Sequence, residues 1–297
     1  MRLVTRGDLD GLTCAVLLSL NEEIDSVSLI HPQEISDGKA DIRPGDIIAN
    51  LPYHPGCAMW FDHHLHTATP NVPPEAFRGA FAEAPSAARL VYEYFGGEEA
   101  MPEFAELVRE TDRLDSANLT PADVLDPQAY IKVGFTIDGR SGFGTFEKYF
   151  LHLVDLLKAR TPIAGILEDP AVKRRCDLLE SENERFCQEL RSHSRVEGNV
   201  VITDFRDLDH APIGNRFLVY ALYPEVNVSV RVHWGPHRAF PMLLLGHSIF
   251  RRTCRTNLGE LAARYGGGGH RGAASIPLIS EPDQQIQMVV GELKANG

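Results

Sequence analysis

Short apolar segments alternate with longer helical segments over the first 114 residues, and this alternation restricts the possible folds more than any other feature of the chain. The short segments are apolar and have the length of strands. Buried strands that alternate with helices form a parallel sheet with helices on its faces. We therefore predict a doubly wound α/β domain, with strands at residues 2–5, 27–30, 46–51 and 57–61 and helices at residues 12–20, 86–95 and 104–114.

The pattern changes after a long, charged helix that we predict at residues 171–192, behind another at residues 146–159. Beyond it, β-rich runs with alternating polarity predict a smaller α/β domain. We place the boundary near residue 190, which gives domains at residues 1–190 and 191–297, with the active-site cleft expected between them. The predicted elements of the second domain are strands at residues 199–204, 217–220, 226–233 and 241–245 and helices at residues 257–265 and 284–295.

Charge and composition exclude several classes of protein. The net charge of the 297-residue chain is −12, and even residues 195–297 carry only 11 Lys and Arg against 9 Asp and Glu. A basic face for long duplex DNA is therefore not supported, whereas a small anionic phosphate substrate is compatible with the sequence. No apolar run approaches the roughly 20 residues that span a bilayer, so no membrane segment is expected.

The five cysteines are scattered and show no Cys-x-x-Cys spacing, which fits thiols in a reducing compartment. The chain also begins with a strand-like segment rather than a signal peptide. We therefore expect a cytoplasmic protein. A homodimer is compatible with the sequence, which does not fix the oligomeric state.

Two aspartates, Asp8 and Asp10, follow the first predicted strand. Residues two apart in an extended chain point the same way, so both carboxylates can face one site, and Gly11 permits a tight turn. One aspartate would suffice to cap the following helix. Two adjacent carboxylates repel each other unless a cation lies between them, and this favours a metal site.

Another apolar run ends abruptly in Asp62-His63-His64. Polar groups at the end of a buried strand are costly unless they are paired or bound to a metal, and ligands of open α/β sheets bind at strand ends. We expect nitrogen ligands from the two histidines and a further oxygen ligand from Asp112. Mixed carboxylate and imidazole ligands suit Mn²⁺ and related ions better than structural zinc. Each histidine could also be a hydrogen-bonded core residue.

A run of four glycines, Gly266–Gly269, precedes His270. Its bare backbone amides could approach a phosphate or a nucleotide closely. A flexible linker is disfavoured because apolar sequence continues on both sides. Arg251 and Arg255 lie just upstream, where they could bind anionic oxygens or form a solvated basic face.

Together these motifs resemble the DHH phosphoesterase superfamily, in the branch whose DHH-associated domain carries a Gly-Gly-Gly-His motif. The resemblance covers essentially the whole chain, through motifs at residues 5–11, 47–51, 62–64, 111–112 and 267–270. Within the superfamily the chain is similar to the group of oligoribonucleases and cyclic-nucleotide phosphodiesterases, which is related to exopolyphosphatases. The resemblance implies a metal-dependent phosphoesterase that hydrolyses short single-stranded oligoribonucleotides or small nucleotides.

The resemblance also implies a role for each candidate residue. One ion, Mn²⁺ or else Mg²⁺ or Co²⁺, would be held by Asp10, His63 and Asp112, while Asp62 would orient the histidines. A second ion would use Asp8, and Asn50 would be the residue shared by both ions. The implied catalytic residues are Asp8, Asp10, His63, His64 and Asp112, and the implied substrate-binding residues are Arg6, His64, Arg251, Arg255, Gly267, Gly268, Gly269 and His270.

Two residues depart from the family pattern. Arg6 stands where the family has a metal-binding histidine, and Asn50 stands where it has the shared aspartate. Arginine cannot ligate a metal and repels one, and asparagine offers only a neutral oxygen. We therefore expect one tightly bound ion. An exopolyphosphatase-like phosphatase and a catalytically weakened nucleotide-binding or regulatory protein are the alternative functions.

Overall fold

The structure is a computed structural model that describes residues 1–64, 75–137 and 146–296. The chain divides into two compact units. Unit 1 comprises Met1–Asn118 and Pro127–Leu178, and unit 2 comprises Leu119–Asp126 and Leu179–Gly297. The division after Leu178 falls inside the long helix Pro170–His193, which also contains the predicted boundary near residue 190.

Strands and helices alternate through the first half of the chain. Up to residue 137 the elements are β1 (Arg2–Thr5), α1 (Leu9–Asn21), β2 (Ser26–Leu29), α2 (Pro32–Ser36), β3 (Ile47–Ala49), β4 (Met59–Asp62), β5 (Gly79–Phe81), α3 (Ala87–Tyr94), α4 (Gly97–Ala100), a 3-10 turn (Pro102–Phe104), α5 (Ala105–Asp115), α6 (Pro121–Leu125) and α7 (Ala129–Thr136).

The second half begins with helices and continues with strands. From residue 146 the elements are α8 (Phe146–Lys158), α9 (Ile163–Glu168), α10 (Pro170–His193), β6 (Ser194–Glu197), β7 (Val200–Asp204), α11 (Leu218–Leu222), β8 (Val228–Trp234), a 3-10 turn (Pro236–Arg238), β9 (Pro241–His247), α12 (Leu258–Arg264), β10 (Gly268–His270), β11 (Ala273–Pro277) and α13 (Pro282–Ala295).

The sheet of unit 1 is parallel, with strand order β2-β1-β3-β4-β5. The chain builds the sheet outward in opposite directions from the pair β1 and β3, so the switch point of this doubly wound sheet lies between these two strands. This confirms the predicted α/β class with a parallel sheet in the N-terminal part of the chain. The loops that follow β1 and β3 therefore lie side by side.

Helix α1 forms the centre of the core of unit 1. Every residue from Leu9 to Leu18 is buried, because α1 packs against α3, α5 and α8. On the other face of the sheet Trp60 packs flat against Phe81, with ring centroids 4.7 Å apart, and its indole Nε1 donates to Leu51 O at 2.9 Å. The strand that carries Asp62 is thus held by packing on both faces, and this fixes the residues that follow it.

The sheet of unit 2 has strand order β10-β11-β9-β8-β7-β6, and only the β7–β8 pair is parallel. Alternate residues of β8 are fully buried, which matches the predicted alternation. The glycine run does not form an open loop. Its last two residues, together with His270, form the edge strand β10, which pairs with β11.

The predicted strand at residues 217–220 is wrong, because Phe217 is the N-cap of α11 and the other three residues form its first turn. A run of four apolar residues fits a strand and a helical turn equally well by periodicity. Here Asn215 Oδ1 accepts from Phe217 N at 3.0 Å, and Tyr220 N donates to Phe217 O at 3.0 Å, so the backbone turns locally. In the part of the chain that the structure describes, no helix is both long enough and apolar enough to cross a membrane.

Candidate active site

Three buried side-chain atoms without hydrogen-bond partners lie at one edge of the parallel sheet. Thr5 Oγ1, Asn50 Oδ1 and His63 Nε2 belong to the carboxyl ends of the adjacent strands β1, β3 and β4 or to the residues directly after them. Each unpaired buried polar atom costs about 1–3 kcal/mol, and ligands of doubly wound sheets bind at this edge. The unpaired atoms therefore mark the candidate active site.

The first part of this site is the Asp8 corner, formed by Arg6, Asp8 and Asn50. Asp8 caps α1, with Oδ1 accepting from Gly11 N at 2.9 Å and from Asn50 Nδ2 at 3.0 Å. The other carboxylate oxygen, Oδ2, lies 3.2 Å from Arg6 Nε. Gly11 is required because a Cβ there would lie 2.0 Å from Arg6 O. The protein itself thus balances the charge of Asp8.

The second part is the Asp10 corner, formed by Asp10, His63 and Asp115. Asp10 is only 1% exposed, and its carboxylate accepts from Ala87 N at 2.9 Å and Ala88 N at 2.7 Å. These are the first two amides of α3, where the helix dipole also favours a negative charge. Burial raises the pKa of the Asp10 carboxyl well above its usual value, and the charge of Asp115 raises it further. The Asp10 carboxylate is therefore held firmly, yet its charge is poorly compensated.

His63 directs one ring nitrogen to the backbone and the other to two carboxylates. Nδ1 lies 2.9 Å from Ala84 O, which can only accept, so Nδ1 carries a hydrogen. Nε2 lies 3.1 Å from Asp115 Oδ2 and 3.6 Å from Asp10 Oδ2, without forming an aligned hydrogen bond. Burial lowers the pKa of His63, but Asp115 and Asp10 outweigh it and raise the pKa to about 9. A neutral His63 would direct its Nε2 lone pair between the two carboxylates, as a metal ligand does.

Asp62 is fully buried and holds the two residues that follow it. Asp62 Oδ1 accepts from His63 N at 2.9 Å and lies 2.9 Å from His64 Nδ1. Asp62 thus orients the backbone of His63 and the ring of His64. The side chain of His64 remains 35% exposed, so a ligand can reach its ring.

The structure does not place Asp112 with Asp10 and His63. Asp112 Oδ1 accepts from Ser86 Oγ at 2.6 Å, and its Oδ2 lies 2.5 Å from Arg89 Nη2. The carboxylate at the Asp10 corner is Asp115, which is not among the predicted site residues. Both aspartates lie on α5, three residues apart, and this spacing places them on neighbouring positions of one helix face. The spacing is the signal that could have identified Asp115.

The Asp10 corner fits a divalent metal ion. One ligand atom from each of Asp10, His63 and Asp115 can be chosen so that all three lie within 4.8 Å of one another. Two carboxylates and one imidazole are ligands that suit Mn²⁺ or Mg²⁺, and the unpaired Nε2 points toward the carboxylates. The Asp8 corner fits an ion poorly, because a guanidinium already contacts its only carboxylate. The predicted metal-binding residues therefore fall into two electrostatically different groups.

The predicted glycine motif lies in unit 2, where its members have different surroundings. A Cβ at Gly267 would lie 2.1 Å from Ser275 O, and one at Gly269 would lie 2.4 Å from Ala273 O. These two glycines are therefore needed for the close approach of β10 to β11. A Cβ at Gly268 would meet nothing within 4 Å, so this residue presents bare backbone to its surroundings.

The other predicted substrate-binding residues of unit 2 are exposed, either at the end of β10 or in the segment between β9 and α12. His270 ends β10, and Arg255 is exposed ahead of α12. Arg251 is also exposed, and its guanidinium donates to Glu225 O. Their role in substrate binding stays a prediction.

Comparison with known proteins identifies the family. The chain aligns with the structure of a pGpG-specific phosphodiesterase, PggH from Vibrio cholerae, at a TM-score of 0.87 and 37% sequence identity, covering 100% of this chain and 99% of that one. Two further structures share the fold. An exopolyphosphatase-related protein from Bacteroides fragilis has a TM-score of 0.56 and 16% identity over 99% of this chain and 92% of that one. RecJ from Thermus thermophilus, in complex with Mn²⁺, has a TM-score of 0.56 and 14% identity over 99% of this chain and 51% of that one.

No protein-family model and no curated protein sequence matches the chain. The fold and the likeness to PggH nevertheless define the chain as a phosphoric ester hydrolase. The chain belongs to the DHH phosphoesterase superfamily, as the resemblance of its motifs predicted.

Proposed function

We propose that the protein is a metal-dependent phosphodiesterase that hydrolyses short nucleotides, with pGpG as the first substrate to test. The observation that carries the proposal is the Asp10 corner, in which two carboxylates and an unpaired imidazole nitrogen converge at the carboxyl edge of the sheet. The full-length likeness to a pGpG-specific phosphodiesterase supports the substrate class. Short oligoribonucleotides belong to the same class, because they contain the same internal phosphodiester.

Asp10, His63 and Asp115 would hold the ion, and Mn²⁺ is the first candidate. A divalent ion in such a site supplies Lewis acidity, which makes water more acidic and neutralises phosphoryl oxygens. Hydrogen bonds from two backbone amides fix Asp10, and the bond to Ala84 O fixes His63. Both ligands are therefore oriented before an ion binds, which raises affinity.

Two side chains next to the ligands would bind the substrate phosphate. The His64 ring is anchored by Asp62 through Nδ1 at 2.9 Å, which orients the ring for contact with a phosphate oxygen. Arg6 keeps 30% of its side chain exposed while it contacts Asp8, so its other guanidinium donors can reach a ligand. Residues Arg251, Arg255, Gly268 and His270 of unit 2 are proposed as further substrate contacts.

We infer that one ion binds per chain. Arg6 supplies a permanent positive charge at Asp8, and Asn50 brings an amide nitrogen rather than a carboxylate oxygen to the same place. The Asp10 corner, in contrast, has two carboxylates with one imidazole between them. A cation gains most where the negative charge is uncompensated.

A substrate panel tests the proposed function. The purified protein is stripped of metal, supplied with Mn²⁺, Mg²⁺ or Co²⁺, and offered pGpG, a short oligoribonucleotide, a cyclic dinucleotide and polyphosphate. We expect metal-dependent release of mononucleotides from pGpG, lost in the variant Asp115→Asn. Preferred turnover of polyphosphate would contradict the substrate class. Binding of pGpG without turnover for any of the three ions would contradict the proposed enzymatic activity. It would support the alternative of a nucleotide-binding or regulatory protein, which the Arg6–Asp8 ion pair favours.

A further inference from the structure

We propose that Asp112 is a positioning residue, which acts with Ser86 and Arg89 to set the separation of the two ion-binding carboxylates. These three residues are called the Asp112 clamp below. The inference rests on the proposed function, because it concerns the same ion site. In this proposal Asp112 does not bind the ion but positions the residues that do, and Arg89 supports metal binding through Asp112.

The clamp joins α3 to α5 through three charge-assisted contacts. Asp112 Oδ1 accepts from Ser86 Oγ at 2.6 Å, and Oδ2 accepts from Arg89 Nε at 3.0 Å and Nη2 at 2.5 Å. The side chains of Arg89 and Asp112 are only 26% and 15% exposed. Hydrogen bonds between charged groups are roughly twice as strong as neutral ones, and partial burial protects them from salt.

The same turn of α3 that holds Asp112 also holds Asp10. Ser86 caps α3, and its Oγ accepts from Arg89 N at 3.0 Å. The next two amides, Ala87 N and Ala88 N, donate to the Asp10 carboxylate. One helix terminus therefore binds Asp10 through its backbone and Asp112 through its side chains.

Asp112 in turn fixes the end of α5. Asp115 is the last residue of this helix, three residues and roughly 4.5 Å of helix rise beyond Asp112. The last turn of a helix frays easily unless it is anchored. The contact of Asp112 with α3 supplies this anchor, so the clamp sets the distance between Asp115 and Asp10. That distance decides how well the pair fits an ion, because carboxylate–metal distances are narrowly defined.

Metal affinity tests the clamp, measured by isothermal titration of metal-free protein with Mn²⁺. We expect Arg89→Gln and Asp112→Asn each to weaken Mn²⁺ binding about 10-fold, within the range known for residues that orient metal ligands. The double variant should bind no more weakly than either single variant, because both changes remove the same contact. Asp115→Asn removes a ligand and should weaken binding by about 100-fold or more. Excess Mn²⁺ should restore the kcat of Arg89→Gln but not that of Asp115→Asn.

A matched control is available on α5 itself. Arg113 Nη1 lies 2.5 Å from Glu110 Oε2 with its side chain 30% exposed, so Arg113→Gln removes an equally close ion pair between two residues of α5. This variant should bind Mn²⁺ within about twofold of the wild type. If Arg89→Gln fails to fold in a thermal melt, Arg89→Lys keeps one charged donor and should weaken binding about threefold.

Two results would overturn the proposal. Equal losses in Asp112→Asn and Asp115→Asn, with neither restored by excess Mn²⁺, would make Asp112 itself a ligand. Unchanged Mn²⁺ affinity in both Arg89 variants would leave the clamp without a role in metal binding. A wild-type protein that binds no divalent ion would instead contradict the proposed function, so the two failures are distinguishable.

Discussion

Asp8 and Asp10 are two residues apart at the same strand end, yet their surroundings differ. Asp8 accepts from a backbone amide and an asparagine side chain and contacts a guanidinium, so its charge is compensated within the protein. Asp10 accepts from two backbone amides and from the weak thiol donor of Cys14, and it shares one imidazole with Asp115. The comparison teaches that paired acidic residues do not define two equal metal positions. The position whose charge the protein leaves uncompensated is the one that is suited to an ion.

The largest difference is expected when each aspartate is neutralised in turn. Asp10→Asn should weaken Mn²⁺ binding by about 100-fold or more, because it removes a ligand charge and directs an NH₂ group toward the amides of α3. Asp8→Asn should weaken it by less than about fivefold, since Asp8 is engaged by Arg6. Titration calorimetry on metal-free protein measures both. Equal losses in the two variants would remove the distinction between the corners.

The second prediction converts the Asp8 corner into a place for an ion. The double change Arg6→His with Asn50→Asp removes the guanidinium and adds a carboxylate, so a second cation can be held beside the first. We expect the ion count per chain to rise from one to two, with higher phosphodiesterase activity. Metal analysis of the purified proteins by mass spectrometry gives the count. Two ions at full occupancy in the unmodified protein would show that Arg6 does not exclude the second.

The third prediction uses the pH dependence of the metal-free protein. The pKa of His63 is raised to about 9, so the proton on His63 stabilises the fold fully below about pH 6.5, and this stabilisation is lost as the pH rises through 9. The raised pKa of Asp10 acts in the same direction. We expect the free energy of unfolding to fall by about 1–3 kcal/mol between pH 6.5 and pH 9.

Saturating Mn²⁺ should remove most of this pH dependence, because the ion takes the place of the proton. The measurement is urea unfolding at a series of pH values, with and without the ion. His63→Gln is the matched control, and its pH dependence should be weaker without the ion. Stability that stays constant in the metal-free wild type over this range would contradict the charge pattern of the Asp10 corner.

The smallest effect is expected in unit 2, where a change should leave both corners intact. Gly268→Val adds a side chain into open space, so ion binding and stability should stay at the wild-type level. If the backbone at Gly268 contacts the substrate, the KM for pGpG should rise about fivefold, which corresponds to roughly 1 kcal/mol of binding free energy. Gly267→Ala is the contrasting control, since its Cβ would lie 2.1 Å from Ser275 O and should destabilise the fold. An unchanged KM in Gly268→Val would limit the glycine run to a structural role.

The sequence predicted the parts of the structure that depend on local periodicity. The buried strands before Asp8, Asn50 and His63 follow from short apolar runs, and a parallel sheet necessarily brings their ends together. The strand predicted at residues 217–220 was wrong, because a run of four apolar residues is too short to show whether its period is that of a strand or of a helix. The apolar pattern of the sequence therefore indicated both the fold and the edge of the sheet that carries the site.

The choice between Asp112 and Asp115 required the three-dimensional structure. Both lie on one helix, and only the packing of α5 against α3 decides which carboxylate reaches His63. The partners of Asp112, Ser86 and Arg89, come from a segment for which the sequence predicts a helix and no site residue. Contacts between elements that are distant in sequence depend on tertiary packing, which periodicity does not encode.

Helix α6 has a consequence for how the protein is made and divided. Residues Leu119–Asp126 belong to unit 2, in which α6 contacts α11, although unit 1 residues precede and follow them in the chain. During synthesis α6 emerges well before the remainder of its own unit. Its buried residue Val124 therefore lacks contacts with the rest of unit 2 until residues 179–297 are made. A gene cut within α10 would separate α6 from α11. Neither unit can therefore be obtained intact as one uninterrupted fragment, and a split version of the protein would have to graft residues 119–126 onto the C-terminal piece.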